Sequence, residues 1–148
     1  MLTNRYPHVF SPIQIGPVRL KNRLGFAPMV CNKCTVDGTV TDSMVEFVYQ
    51  QASTGVGYVT IGDTQVDDDL GGAFMATLNI ARKTSIPGMI KLTEAAGFGG
   101  AVLSVELNHS GRGAKDDLTN GQPIGPSAVC FPRCSQNVRP MERADLER

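Results

Sequence analysis

Three short apolar runs, at residues 24–27, 56–61 and 101–107, are separated by two stretches of helical periodicity, and this alternation restricts the chain more than any other feature. An apolar run bounded by breakers reads as a strand buried on both faces, and such strands belong to parallel sheets covered by helices. In the first helical stretch Met44, Phe47, Val48 and Ala52 recur at helical spacing. Thr41-Asp42-Ser43 supplies N-cap candidates, Ser43 and Glu46 have capping-box spacing, and Gly55 is a stop. The second stretch opens at Ile86-Pro87, where the missing proline N–H costs nothing, and turns Met89, Ile90, Leu92, Ala95 and Ala96 inward before Gly97 ends it. Strand, helix, strand, helix, strand predicts right-handed βαβ units.

The flanks add a hairpin and a loop. Residues 10–22 alternate apolar and polar positions about Gly16-Pro17, setting Ile13 and Ile15 against Val18 and Leu20. Residues 67–69 are three aspartates in a stretch that reads as a solvated loop, and no Glu at EF-hand spacing follows to make a calcium site. Residues 111–140 read as a loop rich in Gly, Pro and Cys, and residues 141–148 as the start of a third helix.

Two architectures accommodate three such units. An open dinucleotide-binding sheet would place Gly-x-Gly-x-x-Gly after its first strand, but that junction reads Ala-Pro-Met-Val-Cys-Asn. Gly97-Phe98-Gly99-Gly100 precedes a strand instead of following one. The alternative is the N-terminal part of a TIM (β/α)8 barrel. A whole barrel takes about 200 residues or more, so 148 residues are expected to hold an incomplete one.

Fourteen basic and fourteen acidic side chains leave no net charge, which removes the electrostatic reason to expect nucleic acid or an anionic membrane as partner. No apolar run approaches the about 20 residues of a membrane helix, and the N-terminus lacks the apolar core of a signal peptide. A cytoplasmic location is expected. Cys31/Cys34 and Cys130/Cys134 form two close pairs, expected as structural or incidental thiols in a reducing compartment, with redox or substrate-facing chemistry as the alternative. Nearly a hundred residues between the pairs argue against a shared zinc, and Cys31-x-x-Cys34 lacks the helix that a thioredoxin motif opens.

Chemistry concentrates where the strands end: Ala27-Pro28-Met29, Gly62-Asp63-Thr64 and Glu106-Leu107-Asn108-His109. In a barrel, strand C-termini build the active site. Small residues there let a flat ring lie against the backbone, and polar ones read its edge. On residue pattern alone, strand-breaking by Pro28 and Gly62 and an ordinary structural role for His109 account for the same stretches.

The stretch Glu106-Leu107-Asn108-His109-Ser110-Gly111-Arg112, with Ala27-Pro28-Met29, Asp37-Gly38-Thr39-Val40-Thr41-Asp42, Ile86-Pro87-Gly88-Met89 and the hairpin at 10–22, resembles the Old Yellow Enzyme family of FMN-dependent reductases. The resemblance runs over essentially the whole chain. It implies a partial FMN-binding barrel domain over residues 1–148, with 1–23 as a hairpin cap and 24–148 running from the first inner strand to the start of the third helix. It implies flavin contacts from Ala27, Pro28 and Met29, with Gly62, Asp63 and Glu106 completing the cofactor-facing set. Where the family has a Gln that hydrogen-bonds the flavin pyrimidine edge, this chain has Glu106. An ionised carboxylate only accepts hydrogen bonds, so weaker FMN binding or a lower potential is expected unless Glu106 is protonated. Val30 fills the position after Pro-Met where some members have a flavin-tuning Cys, so that role does not pass to Cys31. His109 and Arg112 are expected to support the loop.

The implied activity is NAD(P)H-dependent reduction of an activated C=C bond in an enone or enoyl substrate. The family's carbonyl-gripping pair, acid and phosphate loops lie beyond the third strand, so no catalytic residue is assigned within this chain. A second reading makes the chain a non-catalytic barrel fragment or interaction module without flavin. The unclosed edge of the third strand favours the first reading, an N-terminal portion of such a reductase, and a lone fragment is expected to need a homo-oligomer or a complementing chain.

Overall fold

The computed structural model describes residues 5–133 and 135–147. A one-turn helix, α1 (Pro7–Phe10), has its proline at the first turn and leads into the hairpin of β1 (Ile13–Ile15) and β2 (Val18–Leu20). The register pairs Ile13 with Leu20 and Ile15 with Val18, as the alternation predicts. Leu20 is buried, and Ile15 remains 57% exposed.

Three parallel strands follow in the order β3 (Gly25–Phe26), β4 (Tyr58–Gln65) and β5 (Val102–Asn108). β3 is shorter than the apolar run, pairing only Gly25 with Tyr58 and Phe26 with Val59. Pro28 has no N–H to continue that ladder. β4 is longer than expected, for Gly62 does not end it. Ile61 pairs with Val105 and Thr64 with Leu107, so Gly62 and Asp63 together oppose Glu106. That extra residue is a bulge, which redirects side chains and then lets pairing resume. The Gly62–Asp63 peptide is cis.

The crossovers are α2 (Asp42–Ser53) and α3 (Ile86–Phe98). Thr41 caps α2: its Oγ1 accepts the Met44 N–H at 3.2 Å and its hydroxyl donates to the Lys33 carbonyl. The Ser43–Glu46 capping box does not form, because Ser43 already lies in the first turn and Glu46 accepts from Gln50 Nε2 at 2.8 Å. Gly55 stops α2 at φ +96° as expected, whereas α3 passes through Gly97 and the left-handed residue is Gly100, at φ +80°. Gly97 has helical neighbours on both sides, so nothing there requires a glycine's freedom.

Both helices cover one face of the sheet. Met44 and Val48 of α2 meet Leu92, Ala95 and Ala96 of α3 over Ile61, with Cys34 and Leu78 closing the cluster. Leu92 is fully buried, which stabilises the fold by about 2 kcal/mol in area bookkeeping. A second cluster joins Ala52, Val59 and Ala101, with Phe26 packed edge-to-face on Phe47 at 5.8 Å. On the other face Thr60 and Ser104 hydroxyls lie 2.7 Å apart, and an apolar groove of about 330 Å³ runs between Tyr58, Val102 and the hairpin residues Ile15 and Val18.

The segment at 66–80 departs from the solvated loop expected of it. Leu70, Ala73 and Leu78 are buried, and the aspartates organise the turn. Asp67 Oδ1 accepts the Asp69 and Leu70 amides at 2.8 and 3.3 Å, while Asp68 accepts from Arg82 at 2.6 Å and Asn79 at 2.5 Å. The loop at 111–140 also carries order that periodicity does not reveal: β6 (Ile124–Gly125) pairs in parallel with β7 (Arg139–Pro140). One turn of the anticipated last helix is present as α4 (Arg143–Leu146), where Arg139 grips Asp145 through two 2.6 Å hydrogen bonds. Among the described residues no helix is long and apolar enough to cross a membrane.

Candidate functional site

The C-terminal ends of the three parallel strands converge on Gly62. A Cβ built there would lie 2.6 Å from Pro28 Cβ, 2.6 Å from Glu106 Oε2 and 3.1 Å from the Met29 nitrogen. Only a glycine fits between the end of β3 and the side chain from β5. A parallel bridge from Val30 to Gly62 holds the first loop against the bulge. Ala27, Pro28 and Met29 follow β3 directly and are exposed, Met29 at 53%. Each residue expected at the site from sequence (Ala27, Pro28, Met29, Gly62, Asp63 and Glu106) therefore stands at this one end of the sheet.

A cleft of about 500 Å³ opens beside this point, lined by Val30, Asp63, Phe74, Glu106, Asn108, His109 and Phe131 among others. The bulge brings Asp63 to it. Asp63 Oδ1 is buried and has no hydrogen-bond partner, and the adjacent Thr64 hydroxyl is likewise buried and unpaired. Burial pushes the Asp63 carboxyl above its ordinary range, the neighbouring Glu106 charge adds to the rise, and a hydrogen bond with Asn108 opposes it.

His109 accepts the Gly111 N–H on Nδ1 at 3.0 Å and sets Nε2 3.3 Å from Asp67 Oδ2. It thus ties the loop after β5 to the loop after β4, the supporting role expected of it. The Arg112 guanidinium lies 5.4 Å from the Phe131 ring centre, and the Lys115 ammonium 5.9 Å from that of Phe74. Phe74 and Phe131 are half-exposed, at 47% and 48%. Sequence reading missed both. Their only signal is an aromatic side chain in a loop that follows a strand end, and no spacing rule distinguishes that from surface residues.

Other candidates fall elsewhere. Cys34 is buried in the core, its thiol pushed up to about 12 by burial first and then by Cys31 and Asp37. Cys31 Sγ lies 3.4 Å from Met44 Sδ. Both sulfurs pack with apolar neighbours. Cys134 lies outside the described residues, and Cys130 is a free, partly exposed thiol. Among the described residues no group of three His, Cys, Asp or Glu side chains is placed to hold a metal ion. A wider groove of about 610 Å³ runs between α2 and α3, lined by Tyr49, Lys91, Glu94 and Phe98, and receives nothing from the strand ends.

A model of the NADH:flavin oxidoreductase / NADH oxidase family matches residues 8–146. The NADH oxidase of Thermoanaerobacter brockii is 30% identical over 125 residues, covering 84% of this chain and 19% of that protein. A structure of 2-naphthoyl-CoA reductase in complex with 2-naphthoyl-CoA superposes with a TM-score of 0.84 at 27% identity, over 96% of this chain and 24% of that one. The Old Yellow Enzyme of Pichia sp. AKU4542 does so with 0.84 at 25%, over 95% and 39%. The chain thus spans about a fifth of the length of that NADH oxidase. The hairpin and parallel sheet are the N-terminal part of a (β/α)8 barrel, and the sheet in this chain is not closed.

Proposed function

Because the chain belongs to the NADH:flavin oxidoreductase / NADH oxidase family, we propose that it supplies the flavin-facing strand ends of an FMN-dependent, NAD(P)H-consuming reductase of activated C=C bonds. The observation that carries this reading is the convergence of Pro28, Met29 and Glu106 on Gly62 at the C-terminal end of a parallel sheet. The residues fit the group. Gly62 and Pro28 leave a floor free of long side chains, Glu106 and Asp63 bring polar atoms to one edge, and Asp63 Oδ1 awaits a partner. Residues 24–148 would carry this surface, and the hairpin within 1–23 would cap the opposite end of the barrel.

Bound FMN supplies two-electron transfer between the nicotinamide and the alkene. The chain's part is to bind and orient. The backbone at 27–29 would seat the ring, Glu106 would accept an N–H at its edge, and Phe74 and Phe131 line the cleft beside it. The reductase complexed with 2-naphthoyl-CoA is named for a conjugated thioester, which supports an enone or enoyl substrate here. Acid and carbonyl-binding groups would come from later barrel strands, supplied by a further segment or a complementing chain.

The test is the visible spectrum of the 148-residue chain after incubation with FMN and removal of free flavin. A retained band with shifted maxima, lost in Gly62→Leu while far-ultraviolet circular dichroism is preserved, supports the reading. A colourless, folded chain, alone and with a complementing C-terminal segment, removes it.

A further inference from the structure

Asp63 and Glu106 face one cleft from neighbouring strands, and neither is ion-paired among the described residues. The bulge sets Asp63 beside Gly62 directly across from Glu106, whose Oε2 stands 2.6 Å from where a Gly62 Cβ would be. The other charged groups around the cleft are engaged elsewhere. His109 is bound to Asp67 and the Gly111 amide, and Arg112 and Lys115 lie over the Phe131 and Phe74 rings. From the first strand's loop, Met29 and Val30 bring no charge.

We propose that Asp63 and Glu106 share one proton and so present an O–H donor beside a carboxylate acceptor to the flavin edge, making flavin binding pH-dependent. This rests on the flavin reading above. The pyrimidine edge of a flavin alternates carbonyl, N–H and carbonyl. A lone carboxylate accepts from the N–H but repels the carbonyls, whereas a carboxylic acid beside it donates to one of them. Two carboxyls beside one cleft on adjacent strands, Asp63 half-buried and Glu106 exposed, oppose joint ionisation, so Asp63 keeps a proton where a separate, solvated carboxyl would have lost it. Two carboxyl groups thereby offer the donor–acceptor set that a single amide carries. Above the pair's titration, each flavin bound takes up one proton from solvent, and the apparent Kd rises by up to about tenfold per pH unit.

Riboflavin is the probe, since the FMN phosphate ionises near pH 6, within about the same range. Its affinity for the 148-residue chain is read by fluorescence quenching between roughly pH 4 and 8, from the ordinary Asp value upward. The expected result is affinity that falls with rising pH in the parent and a flat profile in Asp63→Asn, which carries a permanent N–H donor. A flat parent profile, or the same slope in Asp63→Asn, overturns the proposal. The ligand-free chain gives a second readout, the ¹³C carboxyl titration of Asp63. Its midpoint should move toward the ordinary Asp range in Glu106→Gln, and an unmoved midpoint also overturns the shared proton. Riboflavin unbound at every pH, with an Asp63 midpoint that still depends on Glu106, supports the shared proton and overturns the flavin reading instead.

Discussion

Gly62 shows how much one missing side chain positions. Its α-carbon stands where Pro28, Met29 and Glu106 meet, and any Cβ must displace at least one of them. Glu106 can swing away because it is the flexible end of an exposed side chain, but Pro28 Cβ cannot. Gly62→Ala should therefore cost about 1–3 kcal/mol, the range for overpacking, and weaken flavin retention together with stability. Urea denaturation checks the first effect and flavin titration the second. An unchanged urea midpoint would mean that Pro28 moves freely. The glycine is plain in the sequence, but its reason is not. As a strand end it needs only to break a ladder; as a bulge residue it must admit two neighbours whose positions are set by other strands. Asp63 is similar. Its place beside the site was expected, while its charge coupling to Glu106 depends on the bulge that turns it.

At the scale of elements, the helices were legible and their ends only partly so. Leu92, Ala95 and Ala96 fall on the buried face of α3 as the periodicity predicts, whereas Ile90 on the same helix is 54% exposed. Leu92→Ala should lose about 2–5 kcal/mol by leaving a cavity between α2, α3 and the sheet. Ile90→Ala should change stability by less than about 0.5 kcal/mol, as surface substitutions do. Thermal unfolding of the two variants side by side checks this, and equal losses would place Ile90 in an interface. Boundaries were less legible because capping depends on which of several adequate residues the chain geometry offers. Thr41 was chosen over Ser43 since its hydroxyl also reaches the Lys33 carbonyl, a contact that sequence spacing does not contain. The strand β4 ran past its breaker because β5 was there to resume pairing with it.

For the whole molecule, pH dependence sums over loops that tie distant segments together. Arg82, at the approach to α3, hydrogen-bonds Asp68 after β4 and holds its carboxyl below the ordinary range, with Asn79 adding to the effect. A carboxylate with a lowered folded-state value adds stability above the ordinary Asp value and loses it as pH falls through the folded one. Arg82→Gln should therefore lower stability at neutral pH and flatten its decline in acid, as followed by urea midpoints from neutral pH downward. A decline as steep as the parent's would assign it to other groups. Asp63 acts in the opposite sense: its raised value disfavours the folded state as pH rises from the ordinary Asp range through the folded one. What the sequence determined by itself was the order of strands and helices, the face each helix buries, and the family to which the strand-end residues belong. These follow from local periodicity and from short motifs, both properties of neighbours along the chain. Only the tertiary structure decided that Asp63 and Glu106 line one cleft, that His109 joins two loops, and that Phe74 and Phe131 line that cleft too. Each of those depends on strand register and on a two-against-one bulge, and register is set by how separate segments pack, which no single segment encodes.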